Sequence, residues 1–186
     1  MFTRVLAVVG QPGAGKDEAA DYLATKYFVK TGGGDFMRGE LRKLGMPTDR
    51  EAVNKFAKEQ RKIHGNAYPY NNGMLDDIRV NTVISGIRNT EELSLLKEKF
   101  GSKFKLIAVI APIELRYQRI HGRGREGDLI SFEEFKAQEE MERSDSSGSH
   151  EVDALLEQAD CFIDNAGSKE DLYKNIDQVL LKIQEV

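Results

Sequence analysis

An α/β fold, with a mostly parallel sheet covered by helices on both faces, is the architecture the 186-residue sequence predicts. Three observations predict it. Short apolar, β-branched segments alternate along the chain with stretches of helical period. Those segments are apolar nearly throughout, as strands buried on both faces are. The first of them, Val5–Val9, runs straight into the glycine-rich octet Gly10-Gln11-Pro12-Gly13-Ala14-Gly15-Lys16-Asp17, which opens a helical stretch.

Residues 17–28 are expected as that helix, with Ala19, Ala20, Leu23 and Tyr27 on one face. A short strand is expected at 28–30, before Gly32, Gly33 and Gly34, and a short helix at 36–44, stopped by Gly45. Thr48 with Glu51 reads as a capping box for the next helix, whose inward stripe is Val53, Phe56, Ala57 and Gln60. Residues 66–72 gather turn formers around Tyr68, Pro69 and Tyr70 and read as an irregular surface segment. A strand at 80–84 leads to Asn89, which caps a helix over 90–99, with Glu92 in the reciprocal position and Leu93, Leu96 and Phe100 inward.

Residues 106–110 are the clearest central strand, and Pro112 suits the first turn of the helix carrying Leu115, Arg116, Arg119 and Ile120. A charged, glycine-punctuated connection at 122–128 follows, and Ser131 with Glu134 caps a long polar helix. After a serine-rich break at 144–149 come a helix at 152–159, the strand Cys161-Phe162-Ile163, and a last helix from about Ser168. That helix turns Leu172, Ile176, Val179, Leu180 and Ile183 inward. Nothing divides the chain, so residues 1–186 are read as a single domain.

Composition narrows the function. Hydrophobic residues at 40% and charged residues at 31% suit a chain that buries a core. A formal net charge of -4 creates no global positive field, which sets nucleic acid aside as a partner. The lone Cys161 excludes an internal disulfide and a multi-cysteine metal site, and its apolar neighbours read as a buried strand. His64, His121 and His150 do not share a metal-ligand spacing. No apolar run reaches membrane-spanning length, and the N-terminus enters a strand rather than a signal peptide, so a cytoplasmic enzyme is expected.

The octet carries the chemistry. GxxxxGK between a strand and a helix is a phosphate cradle: the glycines let backbone N–H groups converge on phosphate oxygens, and the helix N-terminus adds a favourable field. Gly10, Gly13, Ala14 and Gly15 form the cradle, and Lys16 reaches the terminal phosphates of ATP. The residue after the lysine is ordinarily Ser or Thr, whose hydroxyl joins the magnesium shell. Here it is Asp17. A carboxylate there either takes Mg2+ directly or through water, or repels phosphate if misplaced.

The order of elements resembles the P-loop nucleotide kinase superfamily, including nucleoside monophosphate kinases and dephospho-CoA kinases. It is similar in particular to an archaeal group of predicted nucleotide kinases with a similar loop, a later Gly-Ile-Arg and an arginine-rich lid. The resemblance covers almost the whole chain and implies the three-layer P-loop NTPase fold. Gly15-Lys16-Asp17-Glu18 is also similar to phage-type deoxynucleoside monophosphate kinases, which adds Glu18 to the cofactor-binding residues.

Gly34-Asp35-Phe36-Met37-Arg38 resembles the Gly-Asp-x-x-Arg that begins the acceptor-binding part of adenylate-type kinases. The resemblance implies an acceptor region over 35–80, with Arg38 on the acceptor phosphate and Asp35 near the attacking hydroxyl. Ser85-Gly86-Ile87-Arg88 resembles the family's Asp-Gly-Ile-Arg, with Ser85 in place of the acid. Arg88 then meets an anionic substrate at a strand's end, or else pairs on the surface with Glu91 or Glu92. Without the acid, Asp17 or Asp35 is left to compensate in the magnesium network.

Arg116, Arg119, Arg123 and Arg125 are the densest arginine cluster, and the resemblance places a lid over 121–145 with Arg143 returning to it. Lid arginines neutralise the transferring phosphate and help exclude water. Solvated salt bridges to Glu126 or Asp128 are the other reading of the cluster. Asn165 in Asp164-Asn165-Ala166-Gly167 matches segments that border adenine, and equally reads as a turn and cap.

The function implied is ATP- and Mg2+-dependent phosphoryl transfer to a small phosphorylated acceptor, most simply a nucleoside or deoxynucleoside monophosphate, by a monomer or homodimer. Dephospho-CoA is the second acceptor reading. A nucleotide-dependent regulatory ATPase without a small-molecule acceptor is the third.

Overall fold

The computed structural model describes residues 4–76, 78–123, 130–144 and 151–184, without the side chains of 142–144 and 184. Strands β1 (Val5–Val9), β2 (Val29–Gly32), β3 (Thr82–Ser85), β4 (Phe104–Ile110) and β5 (Cys161–Asp164) form one sheet in the order β2-β3-β1-β4-β5. Every neighbouring pair is parallel. The helices are α1 (Lys16–Ala24), α2 (Gly33–Lys43), α3 (Arg50–His64), α4 (Thr90–Phe100), α5 (Ile113–His121), α6 (Phe132–Ser144), α7 (Val152–Glu157) and α8 (Lys169–Gln184).

Central β1 is fully lined by apolar residues, and its alternation feeds two cores. Val5, Ala7 and Val9 pack with Ile84, Leu106 and Ala108 against Leu93 and Leu96 of α4 and Leu155 of α7. Leu6 and Val8 pack with Val83, Ile107 and Ile163 against Ala19, Ala20 and Leu23 of α1 and Leu172 and Ile176 of α8. These are the three layers. Burying Leu23 completely stabilises this arrangement by about 2 kcal/mol, and it holds α1 behind the glycine loop. A third cluster, Met37, Leu41, Val53, Ala57 and Tyr68, ties α2 to α3. Among the described residues, no helix is long and apolar enough to cross a membrane.

Several local expectations need correction. Helix α1 ends at Ala24, short of residue 28: Thr25 and Lys26 donate to Tyr22 and Leu23 in a tightened turn, and Tyr27 at φ 68 reverses the chain. Strand β2 runs on into Gly32, because a Cβ there would lie 2.5 Å from the Ser85 carbonyl oxygen and only glycine lets the two strands approach. Helix α2 begins at Gly33, inside the glycine run. The α3 cap is Asp49, whose carboxylate accepts from the Ala52 N–H at 3.0 Å, rather than Thr48.

Residues 66–72 are only partly at the surface, with Asn66, Asn71 and Asn72 exposed. Ala67, Tyr68 and Tyr70 are buried, and the chain passes into a kinked turn over Tyr70–Met74, non-helical at Asn72 and Gly73, that packs under α4. Strand β3 covers Thr82–Ser85, and β4 starts earlier, at Phe104. Pro112 stands just before the first turn of α5 rather than in it. The expected caps at Asn89 and Ser131 do form: Asn89 Oδ1 accepts from Glu92 N at 2.9 Å, and Ser131 and Glu134 bond reciprocally.

Candidate active site

The carboxyl ends of β1, β2 and β3 lie side by side, and the chain leaves β1 for β2 and β3 on one side and β4 and β5 on the other. Open parallel sheets bind ligands in the crevice at such a switch point. The loop from β1 to α1 occupies it. Each of its glycines is required by a neighbour. A Cβ on Gly10 would meet the Val109 carbonyl oxygen at 2.5 Å, and one on Gly13 the Arg116 carbonyl oxygen at 2.5 Å. One on Gly15 would meet Asn165 Nδ2 at 2.2 Å, and Gly15 also sits at φ 95, where a side chain is strained.

Gly15 caps α1 with no side-chain acceptor, so the first-turn N–H groups are left to the crevice. Lys16 is half-buried and Asp17 exposed at this mouth. Mg2+ is commonly bound by one or two carboxylates together with substrate phosphates and water, and Asp17, exposed beside the lysine, suits that shell. Ser85, one strand over and level with Val8, adds a hydroxyl but no charge. What Mg2+ would supply there is charge neutralisation between phosphates.

The loop is braced from behind by residues whose roles differ from the sequence expectation. Arg116, expected among the lid arginines, is 3% exposed and forms a clamp. Its guanidinium pairs with Glu139 of α6 through both terminal nitrogens, NH2 to Oε2 at 2.9 Å. It also donates to the Pro12 carbonyl at 3.2 Å and the Ala111 carbonyl at 3.1 Å. Asn165, 5% exposed, donates from Nδ2 to the Ala14 carbonyl at 2.8 Å, so its side chain holds the loop and is not spare for a base.

Arg119 is anchored on the Asn165 carbonyl at 2.9 Å, beside that brace, and its second terminal nitrogen is buried without a hydrogen-bond partner among the described residues. Burial lowers its pKa. Glu18 turns away from the cradle: Lys169 at 2.8 Å and the Tyr173 hydroxyl at 2.5 Å take its carboxylate and hold its pKa below the ordinary value. Its side chain therefore locks α1 to α8. Arg125 and the side chain of Arg143 lie outside the described residues, as do parts of the 121–145 lid; Arg123 stands at their edge.

Past β2, Asp35 and Arg38 meet each other, at 2.9 Å, in the first turns of α2. Next to them a cleft of about 680 Å3 opens between α2, α3 and the β3–α4 turn. Arg88 lines it, together with three cations of α3 that the sequence reading passed over, Lys58, Arg61 and Lys62. Their signal was present: spacings of three and four on one helix face, beside the apolar stripe. At the floor is Glu92, 1% exposed, accepting from the Arg88 backbone N–H at 2.7 Å. Burial pushes its pKa up to about 7, against the hydrogen bonds and the charges of Arg61 and Arg88. Tyr70 also lines the cleft, while Tyr68 packs in the α2–α3 core.

Residues 151–153 are tied to the β3–α4 turn and to the glycine loop. Glu151 accepts from the Thr90 N–H at 2.9 Å and donates its own N–H to the Arg88 carbonyl at 2.7 Å. Gln11 reaches Asp153 of α7 at 3.5 Å.

The chain is similar to several known proteins. A family model described as an AAA domain matches residues 6–146. UPF0200 protein PAE1629 of Pyrobaculum aerophilum is 35% identical over 97% of this chain and 98% of its own. A UPF0200/UPF0201 protein of Archaeoglobus fulgidus is 34% identical over 97% of this chain, which spans 56% of that longer relative. In fold, the chain is similar to shikimate kinase from Acinetobacter baumannii, solved with shikimate, at TM-score 0.60 and 19% identity over 97% of this chain and 94% of that one. It is also similar to dephospho-CoA kinase from Campylobacter jejuni, at TM-score 0.52 and 16% identity over 97% of each chain. With the glycine cradle on the central strand of a five-stranded parallel sheet, the chain has a P-loop kinase-like fold and belongs to the AAA-domain family and to the UPF0200 proteins.

Proposed function

We propose that the chain transfers the γ-phosphoryl group of ATP to a small phosphorylated acceptor, with a nucleoside or deoxynucleoside monophosphate as the preferred class. One observation carries the proposal: a braced phosphate cradle and a cation-lined cleft open side by side at the carboxyl ends of adjacent strands. Two phosphate-bearing substrates meeting there need little covalent help from the protein; positioning and charge stabilisation supply the rate.

In this reading Gly10, Gly13, Ala14, Gly15 and Lys16 hold the ATP phosphates, and Asp17 takes Mg2+. Arg119, Arg123 and Arg125 neutralise the transferring phosphoryl group. Arg38, Arg88 and Arg143 serve the acceptor. Asp35, released from Arg38 as the acceptor phosphate arrives, orients the attacking hydroxyl. Dephospho-CoA is the second acceptor reading, favoured by the fold shared with the Campylobacter jejuni enzyme.

Purified protein given ATP, Mg2+ and a panel of nucleoside monophosphates, deoxynucleoside monophosphates and dephospho-CoA is expected to convert one of them stoichiometrically. Phosphate release at the same rate without any acceptor would instead establish a regulatory ATPase. Lys16→Ala is expected to lower ATP turnover by about a hundredfold or more, through lost charge stabilisation of the transferred group; unchanged turnover sinks the donor site.

A further inference from the structure

Arg88 leaves the end of β3 with its peptide fixed on both sides. Its N–H donates to Glu92 Oε2 at 2.7 Å, and its carbonyl accepts from the Glu151 N–H at 2.7 Å. The first partner lies one turn into α4. The second comes from a distant part of the chain, at the head of α7.

Glu151 uses its side chain in the same place. It occupies the N-cap of α7, where a side-chain oxygen ordinarily accepts from its own helix, yet it makes no such bond. Its carboxylate instead accepts from the Thr90 N–H at 2.9 Å and the Thr90 hydroxyl at 2.5 Å, in the first turn of α4. Those bonds hold its carboxyl below the ordinary value, and a negative charge suits a helix N-terminus. Asn89 already fills the N-cap of α4, accepting from the Glu92 N–H at 2.9 Å, so Glu151 is a second acceptor brought in from elsewhere.

The position of Glu151 is itself fixed. Its carbonyl accepts from the N–H of Leu155, which is fully buried in the core with Val5, Leu93 and Leu106. Farther along, Lys97 of α4 donates to Gln158 at 3.1 Å. Two residues past Glu151, Asp153 Oδ1 stands 3.5 Å from Gln11 Nε2 of the glycine loop. Residues 151–153 therefore reach both the turn that carries Arg88 and the loop that leads to Lys16.

We propose that Glu151 is a positioning residue, which fixes the Arg88 peptide relative to the glycine loop and so presents the Arg88 guanidinium at a set distance from the phosphate cradle. The proposal rests on the phosphotransfer reading for the reaction it serves, whereas the anchoring of Arg88 stands on the hydrogen bonds alone. Glu151 touches no substrate. Arginine carries a long, rotamer-rich side chain, and a fixed backbone removes freedom that the guanidinium would otherwise bring into the site. A misplacement of about 1 Å costs about a hundredfold in rate, while a loosened cation still binds an anion.

Amide hydrogen exchange followed by NMR tests the anchor without any substrate. In Glu151→Ala the Arg88 N–H is expected to exchange about tenfold faster or more, with Leu6 and Ile107 of the sheet unchanged. Equal exchange at Arg88 in the two proteins overturns the anchor. Kinetics with the acceptor that the nucleotide and dephospho-CoA panel identifies test its purpose. Glu151→Ala and Thr90→Val are each expected to lower kcat about tenfold, with KM for ATP and acceptor within about twofold. Thr90→Ser, which keeps the hydroxyl, is expected to retain kcat. Glu157→Ala, the same loss of charge at an exposed position of α7, is expected to leave kcat unchanged. In an Arg88→Met background Glu151→Ala is expected to add no further loss, because it acts through Arg88. A full further loss there, a loss confined to KM, or a lowered melting temperature with kcat per folded molecule unchanged overturns the positioning role. Faster exchange at Arg88 with no acceptor converted would remove the phosphotransfer reading and leave the anchor standing. Conversion of an acceptor with exchange and kcat both untouched by Glu151→Ala would do the reverse.

Discussion

Replacing Glu139 by Leu leaves the Arg116 guanidinium, 3% exposed, without its carboxylate. Breaking a buried pair by removing one partner costs about 3–5 kcal/mol, because the remaining charge is neither solvated nor neutralised. With a urea m-value of about 2 kcal/mol/M for a small domain, the unfolding midpoint falls by about 2 M. Arg116→Met with Glu139→Leu removes both charges and fills the same space, so most of that stability returns. The glycine loop does not recover with it, since the double variant still lacks the bonds from Arg116 to the Pro12 and Ala111 carbonyls. Hydrogen bonds from a charged donor contribute about 1.5–3 kcal/mol, and losing even part of that loosens the loop and weakens ATP about tenfold. Urea unfolding followed by far-UV circular dichroism, and calorimetric titration with ATP, read the two effects separately. A loss below about 1 kcal/mol in Glu139→Leu would refute the buried clamp. Full ATP affinity in the double variant would refute its link to the cradle.

Gly15→Ala puts a Cβ 2.2 Å from Asn165 Nδ2 at a backbone φ of 95. Left-handed strain of about 1–2 kcal/mol adds to a displaced Asn165–Ala14 bond, so both the melting temperature and ATP affinity are expected to fall; an unchanged pair of values would discount the contact. Glu92 supplies a pH signature in the empty protein. Its folded pKa of about 7 lies above the ordinary 4.5, so the folded state binds the extra proton and stability declines as pH rises between those values. At about 1.4 kcal/mol per unit the decline reaches about 3 kcal/mol, and Glu92→Gln is expected to flatten it in urea titrations at stepped pH. The same slope in the variant would assign the pH dependence elsewhere.

Part of the site was legible because it is local. The cradle is one contiguous octet whose glycine spacing, strand and helix are all within the first turns of the chain. Arg88 was legible too, as the residue just past a strand end. Arg116 was misread because its spacing with Arg119 shows only a shared helix face, while Glu139, 23 residues on, decides that the side chain is buried. Arg61 was passed over for the opposite reason: a basic helix face ordinarily means solvent, and only the folding of α3 over the β3–α4 turn makes it a wall. Thr48 lost the cap to Asp49 because either side chain can start a helix, and the turn before α3 selects between them.

By itself, the order of apolar and amphipathic segments determined the layered parallel sheet and the placement of a phosphate cradle at its first strand. Those properties follow from periodicity and backbone chemistry, which are local. Tertiary structure alone decided which arginines brace the loop and which face the cleft, that Glu18 and Asn165 serve packing, and that Glu92 is buried with its pKa pushed up. Burial and charge pairing depend on residues distant in sequence, and only the folded chain brings those together.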